Sequence, residues 1–212
     1  MALEDALGEY PGRGLVHHVN RNGKVGWIYF ITGRSEPSRA RRIRVDPDAL
    51  VVEPTTGAAD DDLRHYCCAR TAGDGLVLGN GDHVDVLAAG IGDLEGTVAA
   101  IDPEPDPPIW TPRIAMTLGP ASTAISVAGP PDAVERRIVA LEDELGQAAL
   151  LTTYAGERES PSGSAPLTQA EEGRTTAELA EAIWSRLPAD LRVVLVHGAE
   201  PRLGAPSIIS RA

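Results

Sequence analysis

Arginine and tyrosine side chains recur in four short segments of this 212-residue chain, each beside a turn or a strand end. The segments are residues 10–14 (YPGRG), 33–39 (GRSEPSR), 66–70 with 80–85 (YCCAR and NGDHVD), and 110–114 (WTPRI). An arginine guanidinium is a planar fork that binds phosphate or carboxylate through two parallel hydrogen bonds. A tyrosine hydroxyl donates hydrogen bonds and relays protons. These segments therefore predict a pocket for a small anion.

The distribution of charge along the chain supports this interpretation. The chain has 19 Lys and Arg against 31 Asp and Glu, a formal net charge of −12. Residues 1–44 nevertheless hold eight Lys and Arg against four acids, and seven of those eight are arginines. An arginine cluster in an acidic protein favours a small-anion pocket. The alternative is that genomic composition selects arginine and that these side chains lie solvated on a strand edge.

Composition also excludes several classes of protein. The acidic balance opposes general binding to nucleic acid or to an anionic membrane. No run of about 18 apolar residues predicts a transmembrane helix, and the acidic first residues, MALED, are unlike the basic start of a signal peptide. Cys67 and Cys68 are adjacent and the five histidines are scattered, so neither a stapling disulfide nor a structural metal is expected. We therefore expect a cytoplasmic protein with no nucleic-acid or membrane partner.

The elements that must position these residues are mostly strands. Residues 14–20 and 25–31 predict two strands in a hairpin, because Asn22-Gly23 between them is the strongest short turn signal. Further strands are expected at residues 43–45, 50–53, 64–71, 76–78, 113–118, 124–128, 148–154 and 192–197.

Two helices and three loops complete the prediction. Thr175 and Glu178 form a capping box that opens a helix to residue 187, and residues 84–91 fit a second helix. Residues 132–145 carry a helical stripe of apolar side chains. Loops are expected at the acidic residues 60–62, the proline-rich residues 103–108 and the polar residues 157–165. Residues 1–212 show no repeat and no domain boundary, which predicts a single domain.

The four segments, taken with LLTTY at residues 150–154, resemble the archaeal-type IMP cyclohydrolase family in order and spacing. The resemblance spans residues 10–155. It implies an α+β fold similar to the N-terminal-nucleophile hydrolases, a four-layer αββα sandwich with two mostly antiparallel sheets between helices. It also implies a strand rather than a helix at residues 132–141.

The family's reaction closes 5-formamidoimidazole-4-carboxamide ribonucleotide to IMP with loss of water. The resemblance implies that no metal or redox cofactor is required. It implies three catalytic residues. Arg39 would contact the formyl oxygen or the carboxamide, and Tyr66 would lie against the nucleotide base. Glu104 would be the acid upstream of the TPRI segment. The loop around Glu104 departs from the family pattern, so Asp102 and Asp106 stay open as alternatives.

The same resemblance implies a set of substrate contacts. Asn80 and Asp85 would bind the carboxamide or fix their loop, and His83 would carry a proton or make a structural hydrogen bond. The candidates for binding the phosphate are Arg13, Arg34 and Arg113. Alternatively, these arginines would form an ion pair with Asp85. We expect Arg41, Arg42 and Arg44 to be solvated.

Val84 and Val86 stand where the family usually has threonines, which leaves two alternatives to a purine-precursor nucleotide substrate. One is a homologue acting on a related nucleotide or a secondary-metabolism substrate. The other is a catalytically silent nucleotide-binding protein. The acidic surface is compatible with a closed homo-oligomer.

Overall fold

Two antiparallel sheets form the body of the protein in the computed structural model, which describes residues 2–55, 65–155, 157–158, 167–171 and 173–211. The first sheet has six strands in the order β11-β10-β1-β2-β12-β13. Their bounds are β1 Arg13–Val19, β2 Val25–Thr32, β10 Gln147–Thr152, β11 Thr168–Glu171, β12 Arg192–Gly198 and β13 Ser207–Ser210.

The second sheet has seven strands, and each pairs with the next along the chain from β3 to β9. Their bounds are β3 Arg41–Val45, β4 Ala49–Pro54, β5 Tyr66–Ala72, β6 Gly75–Gly79, β7 Arg113–Leu118, β8 Thr123–Ala128 and β9 Glu135–Ala140. Strand β9 confirms the strand predicted at residues 132–141 from the family resemblance. The helix indicated by the apolar stripe at residues 132–145 is wrong. All six residues of this strand are exposed, because it is an edge strand paired only with β8.

The β1–β2 hairpin confirms the strongest local prediction. The side chain of Asn20 accepts hydrogen bonds from the backbone N–H groups of Asn22 and Lys24 at 2.8 and 3.2 Å. Gly23 has a φ of +73°, a conformation that glycine adopts without steric cost. The turn fixes a register in which Leu15 lies opposite Tyr29.

Helices cover the outer faces of both sheets. They are α2 His83–Ala89, α3 Leu94–Ala99 and α4 Thr176–Arg186, whereas the one-turn helix α1 Glu36–Arg39 lies in the connection from β2 to β3. Helix α4 opens with the predicted capping box, since Thr175 accepts from the Glu178 N–H and Glu178 accepts from the Thr175 N–H. Its Leu179 and Ile183 pack on the outer face of the first sheet. Helix α2, predicted at residues 84–91, packs with α3 on the outer face of the second sheet.

The largest apolar cluster lies between the two sheets and contains Leu15, Trp27 and Tyr29 from the first with Cys68 and Met116 from the second. With the helices outside, the order of layers is helix, sheet, sheet, helix. The α+β sandwich predicted from the sequence is thus confirmed. Its likeness to the N-terminal-nucleophile hydrolases stays a prediction.

Residues 103–108 lie in a loop, as predicted. The acidic residues 60–62 and most of the polar segment 157–165 lie outside the described residues. Within the described part of the chain, no helix is both long and apolar enough to cross a membrane.

Candidate active site

Two tyrosine hydroxyls and an arginine meet at one end of the layer between the sheets. The hydroxyls of Tyr29 and Tyr66 are 2.9 Å apart, and both side chains are buried. Arg13 is a hydrogen-bond partner of Tyr66. Side chains alternate along a strand, so Arg13 points to the same inner face as Leu15 two residues later. Sequence reasoning missed Tyr29, although it shares this inner face with Trp27 and Ile31.

The backbone before Arg13 explains the glycine of the YPGRG segment. Gly12 has a φ of +72°, and a Cβ added there would lie 2.8 Å from the ring of Tyr154. That ring stacks on Tyr10 at 5.5 Å between centroids. The LLTTY segment holds Arg13 as well, because the Thr153 N–H donates to the Arg13 carbonyl at 2.9 Å. Two of the motifs therefore build one corner of the site.

Burial and neighbouring phenols set the protonation of this cluster. Burial opposes the charge of Arg13, but Tyr66 and Tyr29 around it keep the guanidinium pKa above its ordinary value. Burial also raises the pKa of Tyr29 well above its ordinary value, so its hydroxyl stays protonated at neutral pH. The Nε of Arg13 is buried without a hydrogen-bond partner among the described residues. The cluster thus presents the Arg13 cation and the protonated hydroxyl of Tyr29 to a bound group.

Arg41 corrects an expectation from the sequence. It is only 7% exposed, not solvated. Its Nε donates to the Ser38 carbonyl at 2.7 Å and its Nη2 to the Thr32 carbonyl at 3.2 Å. Burial, together with the nearby charge of Arg13, lowers its pKa. Neither guanidinium has a carboxylate partner among the residues described.

A second cluster centres on Arg113 at the start of β7. Its Nε lies 3.4 Å from Oε2 of Glu104, and its Nη1 contacts Asp82 and lies 3.3 Å from Nδ1 of His83. Arg113 thus pairs with Asp82 and Glu104 and not with Asp85, the partner considered from the sequence. Burial raises the pKa of Glu104, while Arg113 and Arg13 oppose that rise. Glu104 is therefore electrostatically coupled to both arginines.

His83 has a structural hydrogen-bonding pattern. Its Nε2 donates to the Ile114 carbonyl at 3.1 Å, which leaves Nδ1 as the acceptor facing Arg113. Burial lowers its pKa to about 4. The imidazole is therefore neutral at pH 7, and it supports Arg113 from behind.

The three acids upstream of TPRI have different surroundings. Asp106 accepts hydrogen bonds from the backbone N–H and hydroxyl of Thr111, so it holds the loop together. Asp102 lines a separate cavity of about 230 Å³ beside His83. Glu104 is the one of the three acids with an ion pair to Arg113, at 3.4 Å between Oε2 and Nε, among the described residues. This geometry favours Glu104 over the two alternatives.

Asp85 lies on the helix side of the second sheet, whereas Asn80 adjoins the tyrosine cluster through Thr153, whose hydroxyl lies 3.4 Å from the Asn80 Nδ2 and 3.3 Å from the Arg13 carbonyl. The Asn80 side chain accepts from the Ile114 N–H at 2.8 Å and donates to the Pro112 carbonyl at 2.9 Å, which joins β6 to β7. Asp85 is exposed and pairs with Arg70. It neighbours Cys67, which faces the outer helices, whereas Tyr66 faces between the sheets. Their roles as substrate contacts stay predictions.

Arg34 and Arg39 lie at the rim of the site. Arg34 is exposed, with its guanidinium 4.8 Å from the centroid of the Tyr10 ring. Arg39 donates to the Arg34 carbonyl at 2.8 Å and lines a cavity that it shares with Arg41. The catalytic role predicted for Arg39 is untested by this geometry. Among the described residues, no group of three His, Cys, Asp or Glu side chains is arranged to hold a metal ion.

Comparison with known proteins agrees with the motifs. A family model described as "IMP cyclohydrolase-like protein" matches residues 10–201. The chain is similar to the IMP cyclohydrolase of Methanothrix thermoacetophila, with 30% identity over 157 residues, 68% of this chain and 74% of that protein.

Two halophile proteins named IMP cyclohydrolase match a shorter part. The identity is 35% over 109 residues for Haloquadratum walsbyi and 36% over 105 residues for Halobacterium salinarum. These matches cover 47% and 45% of this chain. The chain spans about half the length of these two relatives, 54% and 53%. On the match to residues 10–201, the chain belongs to the IMP cyclohydrolase-like family.

Proposed function

We propose that the protein closes 5-formamidoimidazole-4-carboxamide ribonucleotide to IMP. The carboxamide nitrogen attacks the formyl carbon of the same molecule, so one C–N bond forms. The formyl oxygen then leaves as water when its C–O bond breaks. The carboxamide nitrogen and the formamido nitrogen each lose one proton, a C=N bond forms to the formamido nitrogen as the C–O bond breaks, and the oxygen gains two protons, so atoms balance without an oxidant or a reductant. The protein must hold both arms together, stabilise an oxyanion and move protons.

The Arg13–Tyr66–Tyr29 cluster suits the oxyanion. A fixed cation and phenol donors in a buried site stabilise developing negative charge more strongly than water does. Tyr29 and Tyr66 are 2.9 Å apart, so one hydroxyl donates to the other and leaves the second hydroxyl hydrogen free for substrate. Arg13 supports the same oxygen from β1.

The observation that carries the proposal is the pair of tyrosine hydroxyls 2.9 Å apart beside Arg13, whose buried Nε has no hydrogen-bond partner among the described residues. Glu104, with its Oε2 3.4 Å from the Nε of Arg113, is the carboxyl that would serve this cluster. A carboxyl whose pKa is raised by burial is a better proton donor at neutral pH than an exposed glutamate. Glu104 would protonate the leaving hydroxyl, and its carboxylate would then accept the proton that the formamido nitrogen loses as the ring C=N bond forms.

The two valines that depart from the family pattern have different surroundings. Val84 is buried against Leu87 in the outer apolar layer, on the helix side of the second sheet. Val86 lines the small cavity shared by His83, Asp102 and Arg113. That contact favours, as the second candidate, a related nucleotide that differs in the group lying near Arg113.

The experiment is turnover of the purified chain with the formamido-imidazole nucleotide, with IMP followed by ultraviolet absorbance and chromatography. We expect IMP to form, with strong loss in Arg13→Gln and none in Arg137→Gln, an exposed arginine on β9. Thermal stabilisation by the nucleotide without turnover would favour the second candidate or a silent binding protein. The absence of both turnover and thermal stabilisation would reject a nucleotide function.

Two further expectations follow the same proposal. Purine precursors are made in the cytoplasm, so we infer that location. Closed homo-oligomers are the commonest assemblies of soluble proteins, and we propose one here, to be measured by light scattering.

A further inference from the structure

A cavity of about 410 Å³ opens where the edges of the two sheets meet, between β3 on one side and β12 and β13 on the other. Its polar lining consists of four arginines and two hydroxyl groups: Arg39, Arg41, Arg42, Arg211, Thr55 and Ser210. The other lining residues are aliphatic, and no described carboxylate lines it. A volume of this size is within the range of small-ligand sites.

Three of the four guanidiniums form no ion pair with a described carboxylate, although the charge of Arg39 helps to lower the pKa of Asp190. Arg41 donates only to backbone carbonyls, and Arg39 donates to the Arg34 carbonyl. Arg211 is exposed at the mouth, and its backbone N–H donates to the Val193 carbonyl. Arg42 differs, because its Nη2 lies 2.7 Å from Glu53.

Arg41 joins this cavity to the candidate active site. It is buried between the cavity and the Arg13–Tyr66 cluster, so two like charges stand close together in the interior. Burying charge without a counterion is unfavourable. A doubly charged anion beside Arg41 would offset that cost, and arginine forks match its oxygen geometry.

We propose that this cavity binds a phosphate group, with Arg39, Arg41 and Arg211 as its ligands. The family match ends at residue 201, so β13 and Arg211, which directly follows it, lie outside the match. The phosphate is either the 5'-phosphate of the substrate or that of a separate phosphorylated compound. The first source rests on the proposed function, whereas the second does not.

Calorimetric titration with ribose 5-phosphate at low salt tests the site directly. We expect the native chain to bind it and Arg211→Gln to bind it roughly tenfold more weakly, as expected for loss of one charge-assisted hydrogen bond. Ribose without phosphate should not bind. Arg202→Gln is the matched control, because Arg202 is an exposed arginine of the same C-terminal segment and does not line the cavity. Equal binding by Arg211→Gln and the native chain, or none by either, would overturn the proposal.

Kinetics then separates the two sources. A raised KM with unchanged kcat in Arg211→Gln assigns the cavity to the 5'-phosphate of the substrate. An unchanged KM, with ribose 5-phosphate still bound under saturating IMP, assigns it to a separate ligand. If the native chain forms no IMP but shows Arg211-dependent binding of ribose 5-phosphate, the proposed function fails and the phosphate site stands.

Discussion

Glu104 is the carboxyl on which the proposed chemistry most depends. It is only 15% exposed, and its Oε2 lies 3.4 Å from the Nε of Arg113. Glu104→Gln keeps the shape of the side chain and removes its proton. We expect kcat to fall roughly 10²- to 10⁴-fold, the usual contribution of a positioned acid or base, in the IMP-forming assay.

The role of Glu104 as a general acid also predicts the direction in which the rate changes with pH. The active form of a general acid is protonated, so the rate should fall as pH rises through the pKa of Glu104, which burial raises. That alkaline limb should be absent in Glu104→Gln. Asp102→Asn is the control, because Asp102 lines the neighbouring cavity instead. A loss of turnover in Asp102→Asn with full activity in Glu104→Gln would reverse the assignment.

Tyr29 is a positioning residue that acts through Tyr66. Tyr66→Phe removes the hydroxyl that faces Arg13, and we expect kcat to fall roughly 10- to 100-fold. Tyr29→Phe removes only the partner of that hydroxyl, so a smaller loss in kcat, roughly fivefold, with unchanged KM is expected. In a double-mutant cycle, the double variant should match Tyr66→Phe. Effects that multiply would mean that Tyr29 acts independently of Tyr66.

Among the elements, the junction of β6 and β7 depends on one side chain. Asn80 is buried and binds the backbone at both Pro112 and Ile114. Asn80→Ala should therefore lower the free energy of unfolding by about 1–3 kcal/mol, the cost of leaving buried backbone groups unpaired. Urea denaturation measures this change. An unchanged midpoint with a raised KM would show instead that Asn80 binds substrate.

Local signals in the sequence were enough for most of the strands. The Asn22-Gly23 turn fixes β1 against β2, and the alternation of Arg13 and Leu15 places the arginine between the sheets. At β9, the helical stripe was misleading because both faces of this edge strand are exposed. Periodicity reports the buried face of an element, so a strand with no buried face carries no strand signal.

The residues that sequence analysis missed are brought to the site by contacts between elements that are distant in sequence. Arg41 lies among exposed arginines on β3, and only the arrival of β12 and β13 beside that edge encloses it. Strand β13 has four residues, too few for a pattern. Tyr29 looks like an ordinary core residue until the second sheet brings Tyr66 to its hydroxyl.

At the scale of the whole molecule, the four layers bury histidines at several depths. His17 lies between the sheets, where its Nε2 is 2.6 Å from Asp143, and His83 is the buried first residue of α2. Burial lowers the pKa of both, and of His197 on β12. The folded protein therefore binds protons at these sites less readily than the unfolded chain does.

This difference makes the fold sensitive to mild acid. For a group whose folded pKa is lowered, stability falls as pH drops below the unfolded value, near 6.5 for histidine. Burial lowers the pKa of His83 to about 4, and the charged groups around its imidazole are Arg113, Asp82 and Arg13. We expect the titration of His83 to lower the free energy of unfolding by about 3 kcal/mol as the pH falls from 6.5 to 4. Glu104 has the opposite effect on stability, because its raised pKa means that the folded protein gains stability as the pH falls.

Urea denaturation at a series of pH values isolates the contribution of His83. In His83→Gln the side-chain amide can still donate to the Ile114 carbonyl, but it does not titrate. We expect a lower stability at pH 7 and a shallower decline from pH 6.5 to 4 than in the native chain. His65→Gln is the control, since His65 is exposed, and its decline should follow the native curve. An unchanged slope in His83→Gln would mean that other groups, such as the buried His17 and the half-buried His197, carry the acid sensitivity.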